Sequence, residues 1–119
     1  MGQPPAALAS IDEGLKAGNN TKPVVIFFLE YTQKCDIFEK NVLADKSVAD
    51  TIGKVAYVKV VYKKDSEEAK KWKVSSTPTL LVIDASKDGE PKEVKRLTSG
   101  TPATIKKELE TAIKKYEKK

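Results

Sequence analysis

Val24-Val25-Ile26-Phe27-Phe28-Leu29, running on into Glu30-Tyr31-Thr32-Gln33-Lys34-Cys35, is the stretch that decides the fold. Six consecutive apolar residues, mostly β-branched or aromatic, are too few for a typical helix and present no polar side. They predict a central strand covered on both faces. A strand of that kind needs a helical layer above and below it, so the class is α/β. Thr32 follows as an N-cap whose side-chain oxygen accepts the amide of Cys35, three residues on. Behind it Ile37, Phe38, Val42 and Leu43 supply a helical apolar stripe.

Working outward toward the C-terminus, Asp45 reads as a second cap, opening a short helix with Val48 and Ile52 on one face and Gly53 as its terminator. Residues 55–62 form a second β-rich run, with Val58 and Val60 set against Lys59 and Val61. Residues 66–73 make a short helix carrying Ala69 and Trp72, the latter read as a packing residue rather than as part of an aromatic surface with Tyr31. A strongly apolar strand over 79–83, a turn through Asp88-Gly89 and a shorter strand over 94–97 come next. The last helix opens with Thr101 as cap and Pro102 at its first position, and Ile105, Leu109, Ala112, Ile113 and Tyr116 line one face. Its Lys-rich end, including Lys118-Lys119, suits the negative pole of the helix and reads as solvated. Toward the N-terminus, Leu8, Ile11 and Leu15 predict a helix over 5–17, stopped at Gly18-Asn19-Asn20. The order is α-β-α-β-α-β-β-α, which predicts a mixed sheet with parallel members inside and an antiparallel edge.

A length of 119 residues fits a single domain over 1–119. The chain has no His and one Cys, so it cannot assemble a Cys/His zinc site, a Ser/His/Asp or Cys/His catalytic pair, or an internal disulfide. No metal and no cofactor is expected. The formal net charge of +5 is nearly all lysine, with Arg96 the only arginine and the lysines interleaved with Glu and Asp. That pattern reads as a solvated surface and not a nucleic-acid patch. No run approaches the roughly 18 apolar residues of a membrane span. Met1-Gly2-Gln3-Pro4-Pro5 has neither a basic nor an apolar signal region, so no signal peptide is expected; a cytoplasmic chain and a mature exported, periplasmic one fit equally.

Chemistry is expected at two junctions: Tyr31 to Cys35, at the carboxyl end of the buried strand, and Ser76-Thr77-Pro78-Thr79-Leu80, where a proline immediately precedes a central strand. A proline in that place marks a strand start or a cis bond. Glu30 reads as a lone carboxylate with no partner at useful spacing.

Over residues 22–116 the chain resembles the thioredoxin family. The resemblance rests on the apolar strand 24–29, the aromatic-x-x-x-Cys junction, Thr77-Pro78-Thr79-Leu80-Leu81 in the place of the family's cis-proline loop, Gly89 in the hairpin and Gly100 before the closing helix. Cys35-Asp36-Ile37-Phe38-Glu39-Lys40 with Val42-Leu43-Ala44-Asp45 and Val48 resembles a branch of the family with a second short helix. The resemblance implies a three-layer α/β/α thioredoxin fold with a central mixed sheet of about four strands. It also implies a cis Pro78 beside the Cys35 loop, and pairing of an extended peptide along the Thr77 backbone.

The departure from the family is equally specific. Family oxidoreductases carry Cys-x-x-Cys; here Thr32 stands where the attacking cysteine belongs and Cys35 where the resolving one belongs. A dithiol cycle cannot close within the molecule, because release of a mixed disulfide needs a second thiol. The family's buried acid on the preceding strand is replaced by Ile26. Thr-x-x-Cys also resembles the peroxiredoxin motif, but Phe28 stands where that family keeps a proline and Arg96 is its only candidate arginine. Thr at 32, rather than Ser or Ala, reads as a natural residue and not a substituted one. The expected site therefore has Cys35 and Thr32 as its reacting pair, with Tyr31, Gln33, Lys34, Thr77 and Pro78 holding a peptide or substrate. Cys35 is expected to be a reactive single thiol forming mixed disulfides with a protein or small-thiol partner. The competing readings are a redox-inactive peptide-binding module, in which Cys35 is a buried small hydrophobe, and, less favoured, a peroxidase. A monomer is expected.

Overall fold

All six residues of strand β1, Val24–Leu29, are buried, and the side on which each lies follows from strand alternation. Val25, Phe27 and Leu29 enter one core with Phe38, Leu43, Ile52, Ile105 and Leu109. Val24, Ile26 and Phe28 enter a second core with Ile11, Trp72 and Val74. Two cores separated by one sheet make the three-layer α/β/α arrangement. Phe27 and Phe28 are each fully buried, one in each core, and each adds on the order of 1.5–3 kcal/mol over an exposed position.

The computed structural model describes residues 7–8, 10–18, 22–84 and 91–117. The elements are α1 (Ile11–Gly18), β1, α2 (Gln33–Phe38) continued by a π-helical turn (Glu39–Leu43), α3 (Lys46–Ile52), β2 (Ala56–Val61), α4 (Glu67–Lys71), β3 (Thr79–Asp84), β4 (Lys92–Leu97) and α5 (Pro102–Glu117). The sheet order is β2-β1-β3-β4. β1 pairs parallel with β2, Val24 opposite Ala56, and antiparallel with β3, Val24 opposite Ile83. β4 pairs antiparallel with β3, with a register shift at Val82/Ile83.

Four expectations are corrected by this arrangement. The parallel members are not both inside: β2 is an edge and the inner pair β1–β3 is antiparallel. The connection from β2 to β3 contains only one short helix, α4. Its five residues span only about 7.5 Å, against about 20 Å for a six-residue strand, so α4 by itself does not carry the chain back along the sheet, and β3 starts at the end where β2 finishes. The N-terminal helix begins at Ile11 and not at residue 5. Ser10 Oγ accepts the Glu13 amide at 3.2 Å, while Leu8 lies outside the helix in an isolated parallel bridge to Val58 on the β2 edge. Ile37 is off the apolar stripe and 48% exposed, since Cys35, Phe38 and Val42 already occupy the core-facing positions three and four residues apart. Gly53 closes α3 in a right-handed conformation, φ −60°, making no use of a left-handed turn. The Asn19-Asn20 stop, the Asp88-Gly89 turn and Lys118-Lys119 lie outside the described residues.

The predicted caps are present. Asp45 Oδ1 accepts the Ser47 amide at 3.0 Å and the Ser47 hydroxyl at 2.6 Å, bonds that hold its carboxyl below the usual range. Thr101 Oγ1 accepts the Thr104 amide, and Ser66 Oγ, which the sequence reading did not name as a cap, accepts the Ala69 amide. At the far edge Lys95 of β4 pairs with Glu108 of α5 at 2.7 Å.

Candidate functional site

The end of β1 delivers Thr32 in an extended conformation, φ −122° and ψ 159°, from which its Oγ1 accepts the Cys35 amide at 3.3 Å. This satisfies one of the free amides at the start of α2 and turns Cys35 toward the core. Cys35 is 2% exposed, and its Sγ accepts a hydrogen bond from the Glu30 amide at 3.4 Å. Glu30 is not a lone carboxylate: its Oε1 accepts the hydroxyl of Thr77 at 2.6 Å, from 47 residues away. The Thr77–Pro78 peptide bond is cis, and both residues are buried. One residue thus contacts the thiol with its backbone and the pre-β3 loop with its side chain.

A cavity of about 620 Å³ opens beside Cys35 on the β2 side of the turn. Leu29, Tyr31 and Val61 give it apolar surface, and Tyr31, 88% exposed, stands at its mouth. Thr32, Gln33 and Cys35 line it from the turn. Glu30, Asp36, Glu39 and Lys59 bring its charges. Lys59 Nζ donates to Glu39 Oε2 in a part-buried ion pair, and Asp36 pairs with Lys40 at 3.2 Å on the surface. Beneath this group the Tyr57 hydroxyl is buried with no hydrogen-bond partner among the described residues, and burial together with the nearby Glu39 charge pushes its pKa far above the ordinary tyrosine value.

Of the residues the sequence singles out, Tyr31, Thr32, Gln33 and Cys35 meet at this cavity. Lys34 is exposed and does not line it, and Thr77 and Pro78 lie outside it, Thr77 joined to it only through Glu30. Sequence reasoning missed Leu29, Glu30, Asp36, Glu39, Lys59 and Val61. Glu39 could have been found, because four residues from Cys35 on a helix is the same face. Lys59 and Val61 could not, since their place depends on β2 pairing in register with Phe27 and Leu29. Trp72 belongs to the opposite core and forms no surface with Tyr31. Arg96 is committed elsewhere: Glu93 binds its guanidinium and holds its pKa up, and it donates to the carbonyls of Trp72 and Lys73 at 2.5 and 2.9 Å.

No family model and no curated protein matches the sequence. Solved structures do. A thioredoxin from Thermus thermophilus is 24% identical, with a TM-score of 0.76 over 93% of this chain and 87% of that one. A DsbH oxidoreductase is 20% identical, with a TM-score of 0.72 over 95% and 87%. A Trichomonas vaginalis thioredoxin is 19% identical, with a TM-score of 0.66 over 92% and 97%. At these identities it is the backbone that is shared. Together with the mixed four-stranded sheet and its flanking helices, these likenesses show that the chain has the thioredoxin-family fold, carrying a single cysteine.

Proposed function

We propose that this protein performs single-thiol chemistry at Cys35, exchanging with a small external disulfide and lacking an internal dithiol cycle. The observation that carries the reading is the position of Cys35: its side chain is almost wholly buried yet lines the cavity, and its sulfur accepts the Glu30 amide. A protein disulfide, flanked by bulky backbone, does not reach such a sulfur, whereas a small one enters through the cavity. In the reaction the Cys35 thiolate attacks one sulfur of the disulfide, a Cys35 mixed disulfide forms, and the other half leaves as a thiolate that takes a proton from solvent. An external thiol then attacks the mixed disulfide and restores Cys35. Thr32, Tyr31 and Gln33 border the entering molecule.

A second reading is favoured by one contrast, the 2% exposure of Cys35 against the 88% exposure of Tyr31: a redox-inactive module binding an extended peptide around Tyr31 and the Thr77–Pro78 loop. Labelling of the folded protein with a small neutral disulfide, read by intact mass, separates the two. Modification of Cys35 under native conditions supports thiol chemistry; modification only after unfolding supports the binding module.

A further inference from the structure

The cavity beside Cys35 has a charge opposite to that of the protein as a whole. The chain is +5, yet three carboxylates, Glu30, Asp36 and Glu39, border the cavity against one lysine, Lys59. Lys59 is already matched by Glu39. Asp36 is matched by Lys40, but in an exposed pair that a competing cation replaces at little cost. Glu30 receives a neutral hydroxyl from Thr77, and among the described residues none of the salt bridges reaches it. Lys34, the other cation of the turn, does not line the cavity. A molecule approaching Cys35 therefore meets apolar surface from Tyr31 and Val61 and an excess of negative charge.

We propose that the cavity selects small cationic disulfides, those of aminothiols, over anionic ones such as carboxylate-bearing thiols. This rests on the thiol reading of Cys35 given above and names the substrate class of that site. The ammonium group at one end of an aminothiol disulfide sits by Glu30, the carboxylate that, among the described residues, none of the salt bridges reaches, while the near sulfur meets Cys35. The S–S bond of the disulfide breaks as the Cys35–sulfur bond forms, and the departing aminothiolate is protonated by water.

The test compares three disulfides of similar length on the native protein at low ionic strength: cystamine, bis(2-hydroxyethyl) disulfide and 3,3′-dithiodipropionate. Each rate of mixed-disulfide formation is read by intact mass and divided by the rate with the urea-unfolded chain, which removes intrinsic reactivity. The expected result is a cation-to-anion preference on the order of tenfold, the size for unit charges a few ångströms apart in a watery site, collapsing in molar salt. Glu30→Gln, which keeps an acceptor for Thr77, lowers the preference. Equal normalised rates, an anionic preference, or a preference unchanged in Glu30→Gln would overturn the selectivity while leaving the thiol reading intact. Failure of even the neutral disulfide to modify the folded protein would overturn both.

Discussion

The Thr77 hydroxyl donates to the Glu30 carboxylate across 2.6 Å, joining the cis-proline loop to the residue whose amide contacts the Cys35 sulfur. Both ends of this bond come from junctions that precede or follow a buried strand. The bond links the two loops that flank the thiol.

Thr77→Val removes the donor and keeps the shape, leaving a part-buried carboxylate without its partner. The expected cost is about 1–3 kcal/mol, the range for a lost bond to a charged group. Urea unfolding checks it: the midpoint falls while the m-value stays constant. An unchanged midpoint would mean that water replaces the hydroxyl without loss.

Tyr57 carries a pH dependence of definite sign. Its folded pKa lies above the unfolded value of about 10, so between the two the native state holds a proton that the unfolded chain has released. The stability it contributes is complete below about pH 10 and is lost as pH rises toward the folded pKa. In Tyr57→Phe the alkaline fall becomes shallower. Near neutral pH the variant is neutral or more stable by up to about 1 kcal/mol, because the hydroxyl it removes has no partner among the described residues. Chemical unfolding at pH 7 and pH 10.5 on both proteins measures each effect.

Gly14 marks a close approach that the sequence pattern does not show. A Cβ there would come within 2.3 Å of Val58 Cγ2 and 3.2 Å of Val24 Cγ1. Gly14→Ala, helpful to an isolated helix, is expected to destabilise this one by about 1–3 kcal/mol through overpacking against β1 and β2. Gly14→Ala with Val58→Ala should recover part of the loss, and a double-mutant cycle of thermal unfolding reports the coupling.

Thr32→Cys restores Cys-x-x-Cys at the turn. Since residue 32 is exposed and Cys35 buried, the variant is expected to form the 32–35 disulfide on mild oxidation and to reduce insulin disulfides in the presence of dithiothreitol faster than the parent. Weakening of the cap costs about 0.5–2 kcal/mol in the reduced form. A folded variant whose two thiols both remain free after oxidation would contradict the placement of the site.

Local physics made much of this readable in advance. Strand β1, the Thr32, Asp45 and Thr101 positions opening their helices, and the α5 face of Ile105, Leu109 and Ala112 each depend on residues within a few places of one another, where periodicity and capping operate. The same locality explains the error at Ile37. An apolar residue two places from Cys35 falls on the far side of the helix, and only the packed helix shows which of Ile37 and Phe38 the core takes.

The composition and order of the sequence alone determined an α/β chain with one buried strand at its centre, one thiol behind a threonine cap, and no partner thiol for it. Tertiary structure decided which edge β2 occupies, that Glu39 and Lys59 meet across 20 residues, that Glu30 and Thr77 meet across 47, and that the cavity by Cys35 is acidic in a basic protein. The physical reason is that strand pairing and register bring these groups together, and both are set by how the whole sheet buries its two faces rather than by any local pattern.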